Sequence, residues 1–546
     1  MAWSDGLRDA CYLAAGAASA PVWGWKLWRT GKWKTDWRGK RGFVARELIS
    51  PQSHGDTEEG ESGKGSSRDA TRPGVGGSQG RILLHAVSVG EVNLIRGLVD
   101  QLVDEGVEVV VSVTTDTGWA TAQRLWGDEG KDALSRERLG GITGSLRGPG
   151  AIHVVRYPLD FSWMVERFLE AVRPDVVGLV ELEVWPGFVA ACQRRGIAVG
   201  VINGRLSERS YGRYALPGVA GLVRTTFGGL DFVAAQNAAY AERFVGLGVP
   251  AEKVAVLDTM KWDGAAAGMD DTLREQAAKL AEEIGLDRSP GHADTEAVTG
   301  SLRDPGLDAD RSEMQESPRR QDAKTPRAER VVVLAGMGDE GRREPRVLEG
   351  VHLARCLVDE AGGVEGLRLK LIVVPRKPEH FAAYASGLEA IEDKVGELAR
   401  RSGRERLRCV EPGVEIMLLD TLGELRACDA LADAVIVGRS FNGWGGSDPM
   451  EAAGLGVPSV MGPDHKNFEA VVAAMTEAGG LVVEPTPEAA AARVVRWLTT
   501  ENGAAEAERV GRAGKRVIEE HRGSTQRHAA LLMEWLRRAK AEKLKS

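Results

Sequence analysis

Short runs of consecutive Val, Ile and Leu recur along most of the chain, and each is followed by a longer amphipathic stretch. Near-continuous apolar runs indicate strands that are buried on both faces. Strands of this kind alternating with helices predict two doubly wound α/β domains, each with a parallel sheet. The runs are RILLHAV (81–87), VEVVVSVTT (107–115), AIHVVRYP (151–158), DVVGLVELE (175–183), IAVGVING (197–204), VVVLAGM (331–337), LKLIVVPR (369–376), LRCVEPG (407–413), EIMLLD (415–420), AVIVGRS (434–440) and PSVMGP (458–463).

Two polar tracts divide these runs into groups. Residues 51–80 and 288–329 are poor in apolar side chains, so they predict disordered linkers, and 128–150 predicts a shorter surface insertion. A length of 546 residues exceeds one ordinary core and fits two domains. The predicted order is a membrane-associating segment at 1–50, a linker at 51–80, a first domain at 81–287, a linker at 288–329, a second domain at 330–500 and C-terminal helices at 501–546.

Charge and cysteine content exclude several classes of function. The net charge of -8 argues against a nucleic-acid partner, which usually requires a basic surface. Cysteines occur at five scattered positions, and no pair of them has metal-ligand or redox spacing. Reduced, buried thiols in a cytosolic compartment are therefore expected. The cysteines are Cys11, Cys192, Cys356, Cys409 and Cys428.

The first 41 residues combine tryptophan with basic side chains. Six of the 14 tryptophans lie in the first 40 residues, and Lys and Arg interleave with them from residue 23 to 41. Tryptophan favours the lipid headgroup zone and basic side chains attract anionic lipid, so this segment predicts a membrane-surface anchor. A secretory signal is disfavoured because Asp5 and Asp9 outnumber Arg8 at its start, and an ordinary exposed basic segment is the remaining alternative.

Acidic side chains follow two of the predicted strands in the first domain. Glu91 comes at a helix start after the first strand, where a structural cap is as good an explanation as a catalytic base. Glu181 and Glu183 close the fourth strand, and residues two apart in a strand face the same side. Parallel sheets bind ligands where strands end, so these three carboxylates predict a polar site.

The second domain carries basic and glycine-rich turns in comparable places. Arg376 and Lys377 follow a buried strand, where a phosphate or carboxylate would bind. Further along, VGRSFNGWGGSDPMEAA joins a glycine-rich loop to Glu451 at a helix start. Backbone N–H groups of such a loop cradle phosphate, so together these turns predict a nucleotide site.

Taken in order, these segments resemble the 3-deoxy-D-manno-octulosonic acid (Kdo) transferase family. The resemblance covers residues 81–265 and 331–475, and it includes the basic, Trp-rich start. It is carried by HAVSVGEV, VTTDTGW, RPDVVGLVELEVWPGFV, NGRLSERS, TMKWD, VVPRKPEHF, DTLGEL and GGSDPMEAA. The resemblance implies a GT-B fold with two domains facing a cleft. It also implies inverting transfer of Kdo from a CMP-Kdo donor to a lipid A precursor as acceptor, with no metal and no cofactor. The reaction would take place at the cytoplasmic face of the inner membrane.

The resemblance also implies roles for individual residues. Glu91 would be the general base, Arg376 would meet the CMP phosphate and Glu451 would hold the CMP ribose. The remaining residues implied on the acceptor side or at the transition state are Glu181, Glu183, Asn203, Arg205, Ser207, Arg209 and Lys261. The remaining residues implied on the donor side are Pro375, Lys377, Gly445, Gly446 and Asp448.

Three departures from the family pattern lie on the donor side. The family reads Pro-Arg-His where this chain has Lys377, and Gly-Gly-His-Asn where it has Ser447 and Asp448. The string AGMGDEGRRE replaces a family string that contains histidine, and Asp448 is expected to cap the following helix. Two alternatives therefore stay open: a transferase with another nucleotide-sugar or lipid, and an inactive sugar-nucleotide binder.

Overall fold

The described residues form two compact units. In a computed structural model, the structure describes residues 5–14, 36–44, 79–127, 150–286, 329–338, 348–391, 399–400 and 413–545. The first unit is Met1–Met260 with Gly523–Ser546, and the second is Lys261–Arg522. The predicted linkers 51–80 and 288–329 and the insertion 128–150 lie almost wholly outside the described residues.

The first unit is built on a parallel sheet of seven strands, in the order β3-β2-β1-β4-β5-β6-β7. The strands are β1 (Arg81–Ala86), β2 (Glu108–Val113), β3 (Ile152–Arg156), β4 (Val176–Val180), β5 (Ala198–Gly204), β6 (Phe232–Ala235) and β7 (Val254–Val256). The helices are α1 (5–14), α2 (Trp37–Lys40), α3 (Val89–Leu94), α4 (Arg96–Asp104), α5 (Asp116–Trp126), α6 (Ser162–Val172), α7 (Pro186–Arg194), α8 (Glu208–Tyr214), α9 (Ala220–Gly228) and α10 (Ala238–Gly246).

The second unit repeats the plan with a seven-stranded parallel sheet in the order β10-β11-β9-β8-β12-β13-β14. Its strands are β8 (Arg330–Met337), β9 (Leu369–Pro375), β10 (Ala399–Arg400), β11 (Val414–Leu418), β12 (Ala434–Val437), β13 (Ser459–Met461) and β14 (Val482–Val483). Its helices are α11 (Lys261–Ala265), α12 (Asp271–Glu283), α13 (Glu349–Gly362), α14 (Phe381–Glu389), α15 (Leu425–Asp429), α16 (Met450–Gly454), α17 (Glu469–Glu477), α18 (Pro487–Thr499) and α19 (Glu501–Glu520).

Alternate residues of each strand enter cores on opposite faces of the sheet. In β1, Leu83 packs into one cluster while Ile82 and Leu84 pack into another. In β8, Val331 and Val333 likewise face away from Val332 and Leu334. Burial on both faces is why these strands read as unbroken apolar runs. The two doubly wound units confirm the predicted α/β class with two Rossmann-like domains.

The boundary between the units differs from the predicted one. The sequence placed it in the polar tract 288–329, whereas the second unit already begins at Lys261. Helix α12 packs its Leu273 and Leu280 into the core that also holds Val331, which draws this stretch into the second unit. The C-terminal helices are divided as well, because the last helix, α20 (Ser524–Lys543), belongs to the first unit.

Several smaller predictions differ too. The strands β6, β7, β10 and β14 were not predicted, and most of the predicted strand 407–413 lies outside the described residues. Burial was expected for all cysteines, but Cys11 is exposed, whereas Cys192, Cys356 and Cys428 are buried free thiols. Among the described residues, no helix has the length and apolar character needed to cross a bilayer.

Candidate functional site

The chain order of the first sheet reverses between β1 and β4. At such a switch point the loops after the two strands diverge and leave a crevice at the carboxyl ends of the strands. Glu91 lies in the segment that follows β1, and Glu181 and Glu183 follow β4. The three carboxyl groups that the sequence singled out separately therefore belong to one crevice.

Glu91 lies in the first turn of α3, after the N-cap residue Ser88. Its carboxylate accepts the backbone N–H of Val87 at 2.8 Å and the hydroxyl of Ser88 at 2.9 Å. Burial nevertheless raises the pKa of Glu91 from 4.5 to about 7, and the negative charges of Glu181 and Glu183 add to the rise. A carboxylate that only capped the helix would be stabilised in its charged form, so this environment favours an acid–base role.

Glu181 and Glu183 do not lie on one face of a strand, as the sequence had predicted. Strand β4 ends at Val180, so neither residue is in a strand and alternation of side chains does not apply. Glu181 instead adopts a left-handed backbone with φ of 59°, a strained conformation for a residue other than glycine. Glu183 accepts the indole N–H of Trp185 at 3.0 Å, while burial and Glu181 raise its pKa.

Asn203 was expected on the acceptor side, but it is fully buried. Its side-chain oxygen accepts the backbone N–H of Met260 at 3.0 Å, and the backbone N–H of Asn203 donates to Nε2 of His528 at 3.0 Å. These contacts tie the end of β5 to the last residue before the second unit and to α20. Asn203 therefore has a structural role, and its φ of 50° explains why asparagine suits the position.

The other residues of the NGRLSERS block surround the end of β5 in different ways. Arg205 donates its backbone N–H to the carbonyl of Glu181 at 3.4 Å, which links the block to the acidic turn. Ser207 is the N-cap of α8 and accepts the backbone N–H of Ser210, so its hydroxyl has a structural partner. Arg209 is exposed on α8. Of these three residues, Arg205 lies nearest in the chain to the acidic turn.

In the second sheet the chain order reverses between β8 and β12. The loop after β12 is held by Glu349, a buried residue in the first turn of α13 that the sequence analysis missed. Its carboxylate accepts the backbone N–H groups of Ser440 at 3.0 Å and Phe441 at 2.8 Å, and also that of Arg439. Arg439 has a φ of 60°, which is a strained backbone conformation, and the hydrogen bonds to Glu349 offset that strain. A lone Glu at the start of an apolar helix gave no signal of this role.

The glycine-rich loop does not offer its amides in the predicted way. The backbone N–H of Gly445 donates to Asp464 at 2.9 Å, and that of Gly446 donates to the carbonyl of Arg439 at 2.8 Å. Both glycines have a φ of 83°, which glycine adopts without strain. The two glycines therefore shape the loop, and a bound phosphate would need hydrogen-bond donors other than these two N–H groups.

Lys261, Asp448 and Glu451 lie together in the second unit. Lys261 was grouped with the acceptor-side residues, but its Nζ lies 3.7 Å from the carboxylate of Asp448. Asp448 was expected to cap α16; it accepts the backbone N–H of Met450 at 3.0 Å, but the N-cap position itself is held by Pro449. Burial and the charge of Asp448 raise the pKa of Glu451 to about 7, while Arg426 and Lys261 oppose the rise.

The Pro-Arg-Lys turn lies at the carboxyl end of β9, beside the end of β8. Pro375 is buried, and Arg376 donates its backbone N–H to the carbonyl of Met337 at 2.9 Å while its side chain is exposed. Lys377 lies 3.2 Å from Glu379, and both are exposed. Arg376 is thus placed to meet an anion, whereas Lys377 already has a carboxylate partner. In the described ranges, the side chains spaced to ligate a metal lie elsewhere, on α13 and α18.

Comparison with known proteins shows which family the sequence resembles. Residues 49–264 match the family model of 3-deoxy-D-manno-octulosonic-acid transferase (kdotransferase). The 3-deoxy-D-manno-octulosonic acid transferase of Bordetella pertussis is 26% identical over 463 residues, covering 83% of this chain and 87% of that protein. The protein of the same name from Haemophilus influenzae is 25% identical over 459 residues, covering 84% and 87%.

A solved structure, the C-terminal CMP-Kdo binding domain of WaaA from Acinetobacter baumannii, is 21% identical, with a TM-score of 0.31. The match covers 46% of this chain and 100% of that domain. The assignment rests on the sequence matches, which span both units. The chain is a glycosyltransferase, similar over most of its length to named 3-deoxy-D-manno-octulosonic acid transferases and, over residues 49–264, to their family model.

Proposed function

We propose that the protein transfers Kdo from CMP-Kdo to a lipid A precursor in lipopolysaccharide synthesis, with Glu91 as general base. The names of the relatives from Bordetella pertussis and Haemophilus influenzae support the Kdo part of this proposal. The observation that carries the choice of base is the pKa of Glu91, raised to about 7 in the crevice between β1 and β4. A base with a pKa near the working pH is ionised often enough to act and basic enough to accept a proton.

In the proposed reaction the carboxylate of Glu91 takes the proton from the attacking hydroxyl of the acceptor sugar. The hydroxyl oxygen forms the new bond to the anomeric carbon of Kdo as the bond from that carbon to the CMP phosphate oxygen breaks. CMP leaves with the bonding electron pair, and the configuration inverts. No metal takes part in this scheme. Arg376 would neutralise the departing phosphate, and Glu451 would accept hydrogen bonds from the ribose hydroxyls.

A membrane-surface location fits the described part of the N-terminal segment. Residues 5–14 dock on the first unit through polar contacts, since Asp9 accepts the backbone N–H of Ser162 at 3.1 Å. Several apolar side chains of this region remain exposed to solvent. The described segment 36–44 contributes basic side chains. The exposed apolar side chains are Leu7, Leu13, Phe43, Leu159 and Trp163. Most of the tryptophans behind the prediction lie outside the described residues.

Mass spectrometry of a lipid A precursor incubated with the protein tests the proposal. CMP-Kdo should add Kdo to the precursor, and Glu91→Gln should abolish the addition while leaving CMP binding intact. UDP-sugars offered in parallel test the alternative donor, and turnover with a UDP-sugar alone would refute Kdo transfer. CMP-Kdo binding without turnover under all conditions would identify an inactive sugar-nucleotide binder.

A further inference from the structure

A histidine, a cysteine and a glutamate from two helices meet in the second unit. His352 and Cys356 are one turn apart on α13, and Glu488 is the second residue of α18. The carboxylate of Glu488 lies 3.0 Å from Nε2 of His352 and 3.9 Å from Sγ of Cys356. All three potential ligand atoms lie within 4.8 Å of one another. Nothing in the proposed transfer reaction uses these side chains.

We propose that His352, Cys356 and Glu488 bind a divalent transition metal ion, for which Zn²⁺ is the best match. Zinc prefers tetrahedral nitrogen, sulfur and oxygen ligands at about 2.0–2.3 Å, which places neighbouring ligand atoms roughly 3.3–3.8 Å apart. The observed separations of 3.0 Å and 3.9 Å lie on either side of that range, so small side-chain rotations suffice. The three ligands leave a fourth position for water.

The three groups offer ligand atoms of the kinds that zinc prefers. His352 supplies an imidazole nitrogen, Cys356 a sulfur and Glu488 a carboxylate oxygen, and all three come together within 4.8 Å. A metal ion between them would bind the cysteine as a thiolate. A mixed sulfur and nitrogen set excludes Mg²⁺ and Ca²⁺, which require oxygen ligands.

The ion would join α13 to α18. His352 lies one turn from Glu349, whose carboxylate holds the loop after β12. A metal at this point would therefore stiffen the helix that holds that loop, without taking part in group transfer. His352 and Glu488 are 38% and 60% exposed, so the ion would exchange with solvent.

Metal binding is measured on the full chain after treatment with a chelator and titration with Zn²⁺. We expect one Zn²⁺ per chain in elemental analysis, with release of about one proton or more on binding. Calorimetry in two buffers of different ionisation enthalpy reports that release. Co²⁺ in the site should give a thiolate-to-cobalt charge-transfer band in the near ultraviolet.

The variants His352→Gln and Cys356→Ser should each weaken Zn²⁺ binding at least about ten-fold, and Cys356→Ser should remove the cobalt band. Cys428→Ser, a buried cysteine in the same unit, is the matched control and should change neither. Zn²⁺ should raise the unfolding temperature of wild type but not of His352→Gln or Cys356→Ser. A variant whose unfolding temperature in chelator equals that of wild type has kept its fold. Undiminished binding in both variants, or no binding by wild type, would overturn the proposal independently of any transfer assay.

Discussion

Nζ of Lys261 lies 3.7 Å from the carboxylate of Asp448 in the second unit. The same lysine lies over the ring of Phe468, 4.8 Å from its centroid, and its charge lowers the pKa of Glu451. The lysine thus offsets the charge of Asp448, which acts on Glu451 in the opposite sense. Lys261 therefore lies beside two of the residues proposed to bind the nucleotide.

Lys261→Met should therefore impair use of the donor. Loss of the cation raises the pKa of Glu451 further, so less of it is ionised to accept ribose hydroxyls. Steady-state kinetics should show KM for CMP-Kdo about ten-fold higher, with little change in KM for the lipid precursor. Lys279→Met, on the exposed face of α12, is the control. An effect confined to the lipid precursor would return Lys261 to the acceptor side.

Glu181→Gln should move the acidic limb of the pH–rate profile. Transfer requires Glu91 ionised, so the rate should fall as pH drops through about 7. The charge of Glu181 raises the pKa of Glu91, so its removal lowers that pKa and shifts the limb down by about half a pH unit. Glu208→Gln, exposed on α8, should leave the limb in place. A shift to higher pH would contradict the electrostatic coupling.

Glu91→Gln should increase the free energy of unfolding above neutral pH. The folded-state pKa of about 7 lies above the ordinary 4.5, so the stability that this group contributes is present below 4.5 and lost as pH rises through 7. Partial exposure reduces the effect, and we expect a gain of about 1–2 kcal/mol at pH about 8. Urea unfolding at pH about 8 and about 4.5 checks this, and equal gains at both would exclude titration of Glu91 as the cause.

Substitutions of Asn203 should destabilise the protein. Asn203→Gly removes the acceptor of the Met260 N–H but tolerates a φ of 50°, and we expect a loss of about 1–3 kcal/mol. Asn203→Ala loses the same bond and adds about 1 kcal/mol of backbone strain. Denaturant unfolding measures both. If Asn203→Gly left stability unchanged yet abolished transfer, Asn203 would contact the acceptor after all.

Leu7→Ser combined with Leu13→Ser should weaken binding to anionic vesicles. Both leucines are more than half exposed on α1, so their replacement removes membrane contact area rather than core packing. Vesicle co-sedimentation should show several-fold weaker binding, and added salt should weaken the wild-type interaction. Leu544→Ser, at an 89% exposed position in the C-terminal region, is the control. Equal losses from both variants would contradict a specific surface.

Most strands of the two sheets could be predicted from the sequence, because burial on both faces determines their composition. Glu91, Glu181 and Glu183 were selected as a candidate polar site from their places after strands, and the reversal between β1 and β4 explains why they share one crevice. The role of Glu349 could not be predicted, since its partners Ser440 and Phe441 lie about ninety residues away.

The burial of Asn203 and the place of Lys261 in the second unit could not be predicted, because a motif match carries no information on burial or domain membership. The metal ligands were missed for a related reason. Cysteine spacing alone reveals no site when the partner of Cys356 is Glu488, 132 residues further along the chain.

Helix α20 determines when the first unit can complete its folding during synthesis. Its Leu532 and Leu536 complete the core beneath β1, and His528 bonds to Asn203. The first unit thus lacks part of its core until α20 has left the ribosome. The second unit, Lys261–Arg522, is synthesised before that helix, while the first unit is still incomplete. Deletion of α20 would therefore damage the crevice of Glu91, more than four hundred residues earlier in the chain.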